Sequence, residues 1–160
     1  MASGKSTVGQ QLAESLTWPF VDLDAVIEDL ASQRWGTDIS GLFEMGEHVF
    51  RNVEADCLRQ VLSHIPSPFV LSLGGGTLHN GVLAQTIMAQ STLFVLVASW
   101  ETVQERIQGS GRPLKDVARV LYEQRLSGYA VGIPIDVDNR SLSDIVDDIR
   151  QKIIELGLAC

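Results

Sequence analysis

Short runs of apolar residues alternate along this chain with longer stretches in which apolar positions recur every three or four residues. The short runs are Pro19-Phe20-Val21-Asp22, Phe69-Val70-Leu71-Ser72-Leu73, Leu93-Phe94-Val95-Leu96-Val97 and Ile133-Pro134-Ile135-Asp136-Val137. They have strand length, and the second and third are nearly continuous in apolar residues, as strands covered on both faces are. Between Glu47 and Leu62, the residues Phe50, Val53, Cys57, Leu58, Val61 and Leu62 fall on one stripe at helical spacing. Val8 to Leu16 and Asp144 to Leu156 read as further amphipathic helices. Strands alternating with helices predict an α/β fold with a parallel sheet. Loops are expected at Gly74-Gly75-Gly76 and at Gly109-Ser110-Gly111, ahead of Arg112-Pro113. No internal repeat, low-complexity tract or linker interrupts the pattern, so residues 1–160 are expected to form a single domain.

Composition narrows the function classes. With 12 basic and 20 acidic residues, the net charge of −8 argues against nucleic-acid binding, which needs a basic face. An acidic chain can still hold a small anion where a few arginines converge. No apolar run approaches the ~20 residues that span a bilayer, and no signal peptide is present, so a cytoplasmic protein without a membrane partner is expected. Cys57 and Cys160 make no disulfide framework and read as reduced thiols. His48, His64 and His79 lack metal-ligand spacing.

Several short stretches carry candidate chemistry. Ser3-Gly4-Lys5-Ser6-Thr7 is the tail of a phosphate-binding loop, Gly-x-x-x-x-Gly-Lys-[Ser/Thr], and a helix follows it. A helix start offers N–H groups and positive dipole to an anion, Lys5 adds a point charge, and Ser6 can ligate Mg2+. An ordinary capped helix is the plainer alternative. Asp22 and Asp24 end the first strand run, where parallel sheets bind ligands. One residue apart on an extended strand, they would face opposite sides. Asp24 also suits a helix cap. Arg51 stands between Glu47 and Glu54, either as part of a solvated helix face or oriented by those acids to grip a substrate carboxylate. Gly74, Gly75 and Gly76 expose backbone N–H groups directly after a buried strand. Arg106, Arg112 and Arg125 lie in a segment rich in loop signals, suited either to a phosphoryl group or to balancing surface charge.

As an ordered set, SGKSTVG, FVDLDAVIE, LFEMGEHVFRNVE, LSLGGGTL and GRPL resemble the shikimate kinase family. The resemblance spans roughly Met1 to Asp138. It implies a three-layer α/β/α fold with a parallel sheet of the P-loop nucleoside-monophosphate-kinase type, in the order 2-3-1-4-5. It further implies transfer of the ATP γ-phosphate to the 3-hydroxyl of shikimate, with Mg2+ as cofactor and a monomer as the working form. Ala2, Ser3, Gly4, Lys5, Ser6, Thr7, Arg106 and Arg112 would bind nucleotide, with Ser6 and Asp22 on the metal. Asp24, Arg51, Gly74, Gly75, Gly76, Arg125, Phe43 and Phe50 would bind shikimate. Lys5, Asp24 and Arg112 would be catalytic, Arg112 riding on a lid over about residues 108–122.

The chain departs from the family pattern in three places. Lys115 follows Arg112-Pro113-Leu114 where a second leucine is usual, and Leu126-Ser127-Gly128 follows Arg125 where a proline and leucine are usual. The third departure is at the start: the first loop glycine would fall two positions before Met1. The first, central strand of the sheet is therefore expected to be absent from this chain, with Met1 an internal methionine of a longer protein. A related small-molecule kinase of the gluconate-kinase type, or a non-catalytic relative, is the alternative reading.

Overall fold

The computed structural model describes residues 4–79, 81–108, 119–120, 122–123 and 131–159, with the side chains of 106–108 excepted. In chain order the elements are α1 (Lys5–Leu16), β1 (Phe20–Asp22), α2 (Leu23–Trp35), α3 (Ile39–Met45), α4 (Glu47–His64), β2 (Val70–Ser72), a short 3-10 turn (Thr77–His79), α5 (Gly81–Gln90), β3 (Phe94–Val97), α6 (Trp100–Gln108), β4 (Ile133–Asp136) and α7 (Leu142–Glu155). All four expected strands are present, and the strand–helix alternation gives parallel pairing throughout.

The strands form two pairs. β1 runs parallel to β2 with Phe20 opposite Val70 and Asp22 opposite Ser72. β3 runs parallel to β4 with Phe94 opposite Ile133 and Val97 opposite Asp136. Among the described residues no strand ladder joins β2 to β3. The pairs match the neighbours 2-3 and 4-5 of the expected order 2-3-1-4-5. Among the described residues β2 pairs only with β1 and is shorter than its apolar run. Hydrogen-bonded on one side only, it extends no further than its partner β1.

Each pair has its own core. Val8 and Leu12 of α1, Val103 of α6, Ile135 of β4 and Ile145, Val146, Ile149 and Ile153 of α7 pack together around β3–β4. Leu23, Ile27 and Ala31 of α2, Leu42 of α3, Phe50, Val53, Cys57 and Leu58 of α4, and Leu83 and Ile87 of α5 pack around β1–β2. Each valine, leucine, isoleucine or phenylalanine among them, fully buried, contributes about 1.5–3 kcal/mol. Helix α1 joins the halves, touching β1 and β2 on one side and α7 on the other. Gly9 makes that seat possible, since a Cβ there would lie 2.8 Å from the Phe20 ring.

Local capping sets the helix starts. Ser141 accepts the N–H of Asp144, so α7 begins at Leu142, ahead of the expected Asp144. Asp38 accepts the N–H of Gly41 at 2.8 Å and starts α3. Glu28 of α2 takes the N–H of Ile39 at 3.0 Å, tying α3 back to α2.

Candidate active site

Gly4 stands before α1 in the left-handed region, at φ 78°, where glycine carries no steric penalty. Its carbonyl accepts the N–H of Val8 at 2.9 Å, the first bond of the helix. The turn of Lys5, Ser6 and Thr7 is therefore the positive end of α1, with Ser6 and Thr7 exposed to solvent. No side chain caps it.

Across from that turn, β1 ends at Asp22 and α2 begins at once with the buried Leu23. Asp22 Oδ1 accepts the N–H of Asp24 at 3.0 Å and caps α2. The expectation that Asp22 and Asp24 project from opposite sides of an extended strand is corrected here: Asp24 belongs to the first helical turn, and the cap is Asp22, not Asp24. The reason is the tightness of the corner, which leaves no extended residue after Asp22. Asp24 is exposed as a residue, while its carboxyl lies against the glycine loop at Gly74. Burial pushes its carboxyl above the ordinary carboxylate range, and the negative charge of Asp22 pushes it further. Lys5 pulls the other way, while Glu54 and Glu28 add smaller upward effects. Gly74 leaves the room Asp24 occupies, for a Cβ there would stand 2.8 Å from Asp24 Oδ1.

Arg51 lies one helix away, on α4. Its Nη1 donates to Glu54 Oε2 at 2.8 Å, and its Nη2 meets Glu47 Oε1 at 3.5 Å. The acids flanking it in sequence thus do hold it, although only Glu54 does so at short range. The guanidinium lies against the glycine loop, where a Cβ on Gly76 would be 2.9 Å from Nη2. Beneath it the buried ring of Phe50 has its centroid 5.1 Å from Arg51 Cζ and stacks on exposed Phe43 at 4.2 Å. Gly75 sits half-buried between the two glycines that face Asp24 and Arg51.

The fold therefore gathers Lys5, Ser6, Asp22, Asp24, Arg51, Gly74, Gly75, Gly76, Phe43 and Phe50 around the carboxyl ends of β1 and β2. Ala2, Ser3, Arg112 and Arg125 lie outside the described residues. Arg106 belongs to helix α6 rather than to a loop, with its side chain outside the description. Sequence reading missed Thr77, whose hydroxyl donates to Glu54 Oε1 at 2.7 Å, and the burial of Glu54, only 1% exposed. A signal for Glu54 existed: the acid stands within the apolar stripe, four residues from both Phe50 and Leu58.

Among the described residues, no group of three or more His, Cys, Asp or Glu side chains could hold a metal. Magnesium requires no such cage, because it takes one or two protein oxygens and completes its shell with phosphate and water. A hydroxyl at Ser6 and a carboxylate at Asp22 are hard oxygen donors of that kind.

A helix N-terminus bearing Gly-Lys-Ser-Thr, with a carboxylate of α2 and a guanidinium of α4 meeting one glycine loop, defines a P-loop kinase of the nucleoside-monophosphate-kinase-like class. The model of the family "Shikimate kinase" matches residues 1–154. The shikimate kinase of Chlorobium limicola is 41% identical over 170 residues, covering 95% of this chain and 82% of that protein. That of Thermus thermophilus is 33% identical over 163 residues, covering 96% and 85%. Among solved structures, shikimate kinase from Acinetobacter baumannii in complex with shikimate superposes with a TM-score of 0.83 at 28% identity, covering 99% of this chain and 90% of that one. The Aquifex aeolicus enzyme gives 0.76 at 29%, covering 99% and 94%. The chain belongs to the shikimate kinase family, and its fold is that of the family.

Proposed function

We propose that this protein transfers the γ-phosphate of ATP to the 3-hydroxyl of shikimate, giving ADP and shikimate 3-phosphate. The observation that carries the reading is the pairing of Asp24 with Gly74 and of Arg51 with Gly76 on one loop. A ring bearing a carboxylate at one end and hydroxyls at the other matches that spacing of cation, backbone N–H groups and anion. Arg51, aided by Arg125, grips the carboxylate through the two-bond fork of a guanidinium. Gly75 and its neighbours offer N–H groups to the ring hydroxyls, and Phe43 and Phe50 wall the pocket.

Asp24 orients the attacking hydroxyl and accepts its proton. Its raised proton affinity suits that task, since a base works best when its pKa approaches the working pH. The hydroxyl oxygen bonds to the γ-phosphorus as the bond to the β–γ bridging oxygen breaks, and ADP leaves. Lys5 and the N–H groups opening α1 offset the phosphate charge, and Arg112 reaches the transferring group. Ser6 directly, and Asp22 through water, would hold Mg2+, which supplies charge neutralisation on the phosphates. Ala2, Ser3 and Thr7 complete the loop, and Arg106 packs beside the adenine.

The protein works in this reading as a single-domain monomer, because both subsites come from one chain, and its buried Cys57 thiol suits the reducing cytosol. Among the described residues no helix is long and apolar enough to cross a membrane. Coupled measurement of ADP release by the purified protein tests the function. Release is expected to rise on adding shikimate. A rise with gluconate or a nucleoside monophosphate, but none with shikimate, would contradict the proposal.

A further inference from the structure

Thr77 directly follows the three glycines, and it and Glu54 of α4 are both sealed from solvent. One carboxylate joins them to the binding loop. Glu54 Oε1 accepts the Thr77 hydroxyl at 2.7 Å, and Glu54 Oε2 accepts Arg51 Nη1 at 2.8 Å. Each oxygen has its own donor. Arg51 Nη2 is left with a long contact to Glu47 at 3.5 Å and faces the space over Gly76.

We infer that Thr77 is a positioning residue for carboxylate recognition: by occupying Glu54 Oε1, its hydroxyl keeps Nη2 of Arg51 available to the substrate. The inference rests on the function proposed above. A buried carboxylate oxygen stripped of its donor bears the full cost of its desolvation. Arg51 can relieve that cost, because its fork takes both oxygens of a carboxylate at once. Glu54 then competes with the substrate for the same edge of the guanidinium. The hydroxyl of Thr77 removes this competition while also pinning α4 to the glycine loop, so that Arg51 and Gly76 keep their mutual placement. Glu54 reaches the reacting hydroxyl only through its small upward effect on Asp24, which a substitution at Thr77 leaves in place.

The test compares Thr77→Val, which keeps shape but lacks the hydroxyl, with Thr77→Ser, which keeps the hydroxyl. T77V is expected to raise the KM for shikimate about tenfold, the effect of losing one hydrogen bond to a charged group. Its kcat and its KM for ATP should stay within about twofold of wild type, and T77S should restore the shikimate KM. Calorimetric titration of shikimate into the same proteins should show the same loss and rescue. If T77V fails to fold, Thr77→Ala makes the comparison without the extra methyl group. An unchanged shikimate KM in T77V, a matching fall in kcat, or failure of T77S to rescue overturns the inference while leaving the kinase reading intact. A wild-type protein that neither binds nor phosphorylates shikimate overturns both.

Discussion

The two halves of the molecule bury similar apolar cores but treat polar groups differently. Around β1–β2, the residues Glu54, Ser72 and Thr77 are buried, and they are the only buried polar or charged residues among those described. Around β3–β4, polar pairing stays at the rim. Arg140 bonds Asp148 at 2.9 Å with both side chains about one-third exposed, and Asp138 takes the N–H of Ser99 at the start of α6. The rim pairs tie loops and helix ends together. The buried group fixes the direction of a guanidinium. Water would loosen that direction, so the half that presents charge to a ligand carries the polar groups inside, where each must be fully hydrogen-bonded to be tolerated.

The largest contrast should come from Asp24. Asp24→Asn is expected to cut turnover by about a hundredfold or more, the usual scale for removing an acid–base group. Its effect on stability should have the opposite sign. Because burial and Asp22 raise the Asp24 pKa in the folded state, the folded protein binds more protons than the unfolded one between the ordinary carboxylate value and the raised one. Wild-type stability therefore falls as pH rises through that window. D24N, free of this penalty, should melt higher than wild type at neutral pH, with the gain vanishing in acid. Melts at several pH values in which the D24N gain does not shrink toward acid would contradict the assignment.

Next in size is Glu54→Ala, which leaves Arg51 and Thr77 without their shared acceptor. Urea denaturation should show a loss of about 3 kcal/mol, the lower part of the range for breaking a buried pair. Gly76→Ala should do less to the fold, since the atoms nearest the new methyl belong to the far end of the Arg51 side chain, at 2.9 Å, rather than to backbone. It should raise the KM for shikimate about tenfold by moving that guanidinium. The smallest effect belongs to the other half. Arg140→Ala should cost about 1 kcal/mol or less, and less again in high salt, with shikimate kinetics unchanged. A large catalytic effect of R140A would erase the contrast between the halves.

The strand runs and the α4 stripe were legible because burial imposes period on sequence, and the glycine loop because its three glycines stand at a strand end. The corner after β1 was not: Asp22 and Asp24 both make good caps, and only the observed backbone shows Leu23 already helical. Helix α5 escaped because Gly81-Val82-Leu83-Ala84 opens on a glycine and shows no clear polar face. Arg106 read as a loop residue because the glycines after it dominate the local pattern, although Trp100, Val103 and Ile107 keep helical spacing. The Thr77–Glu54 bond joins residues 23 positions apart, so no local pattern encodes it. What local sequence did mark was the oddity of an acid inside an apolar stripe.

The central claim is spatial: the carboxylate end of the substrate meets Arg51 over Gly76, and its hydroxyl edge meets Asp24 over Gly74. A crystal structure of this protein with shikimate tests it directly. The account predicts the carboxylate within hydrogen-bond reach of the Arg51 guanidinium and a ring hydroxyl within reach of the Asp24 carboxylate. Shikimate bound in the reverse orientation, or away from the glycine loop, would contradict it.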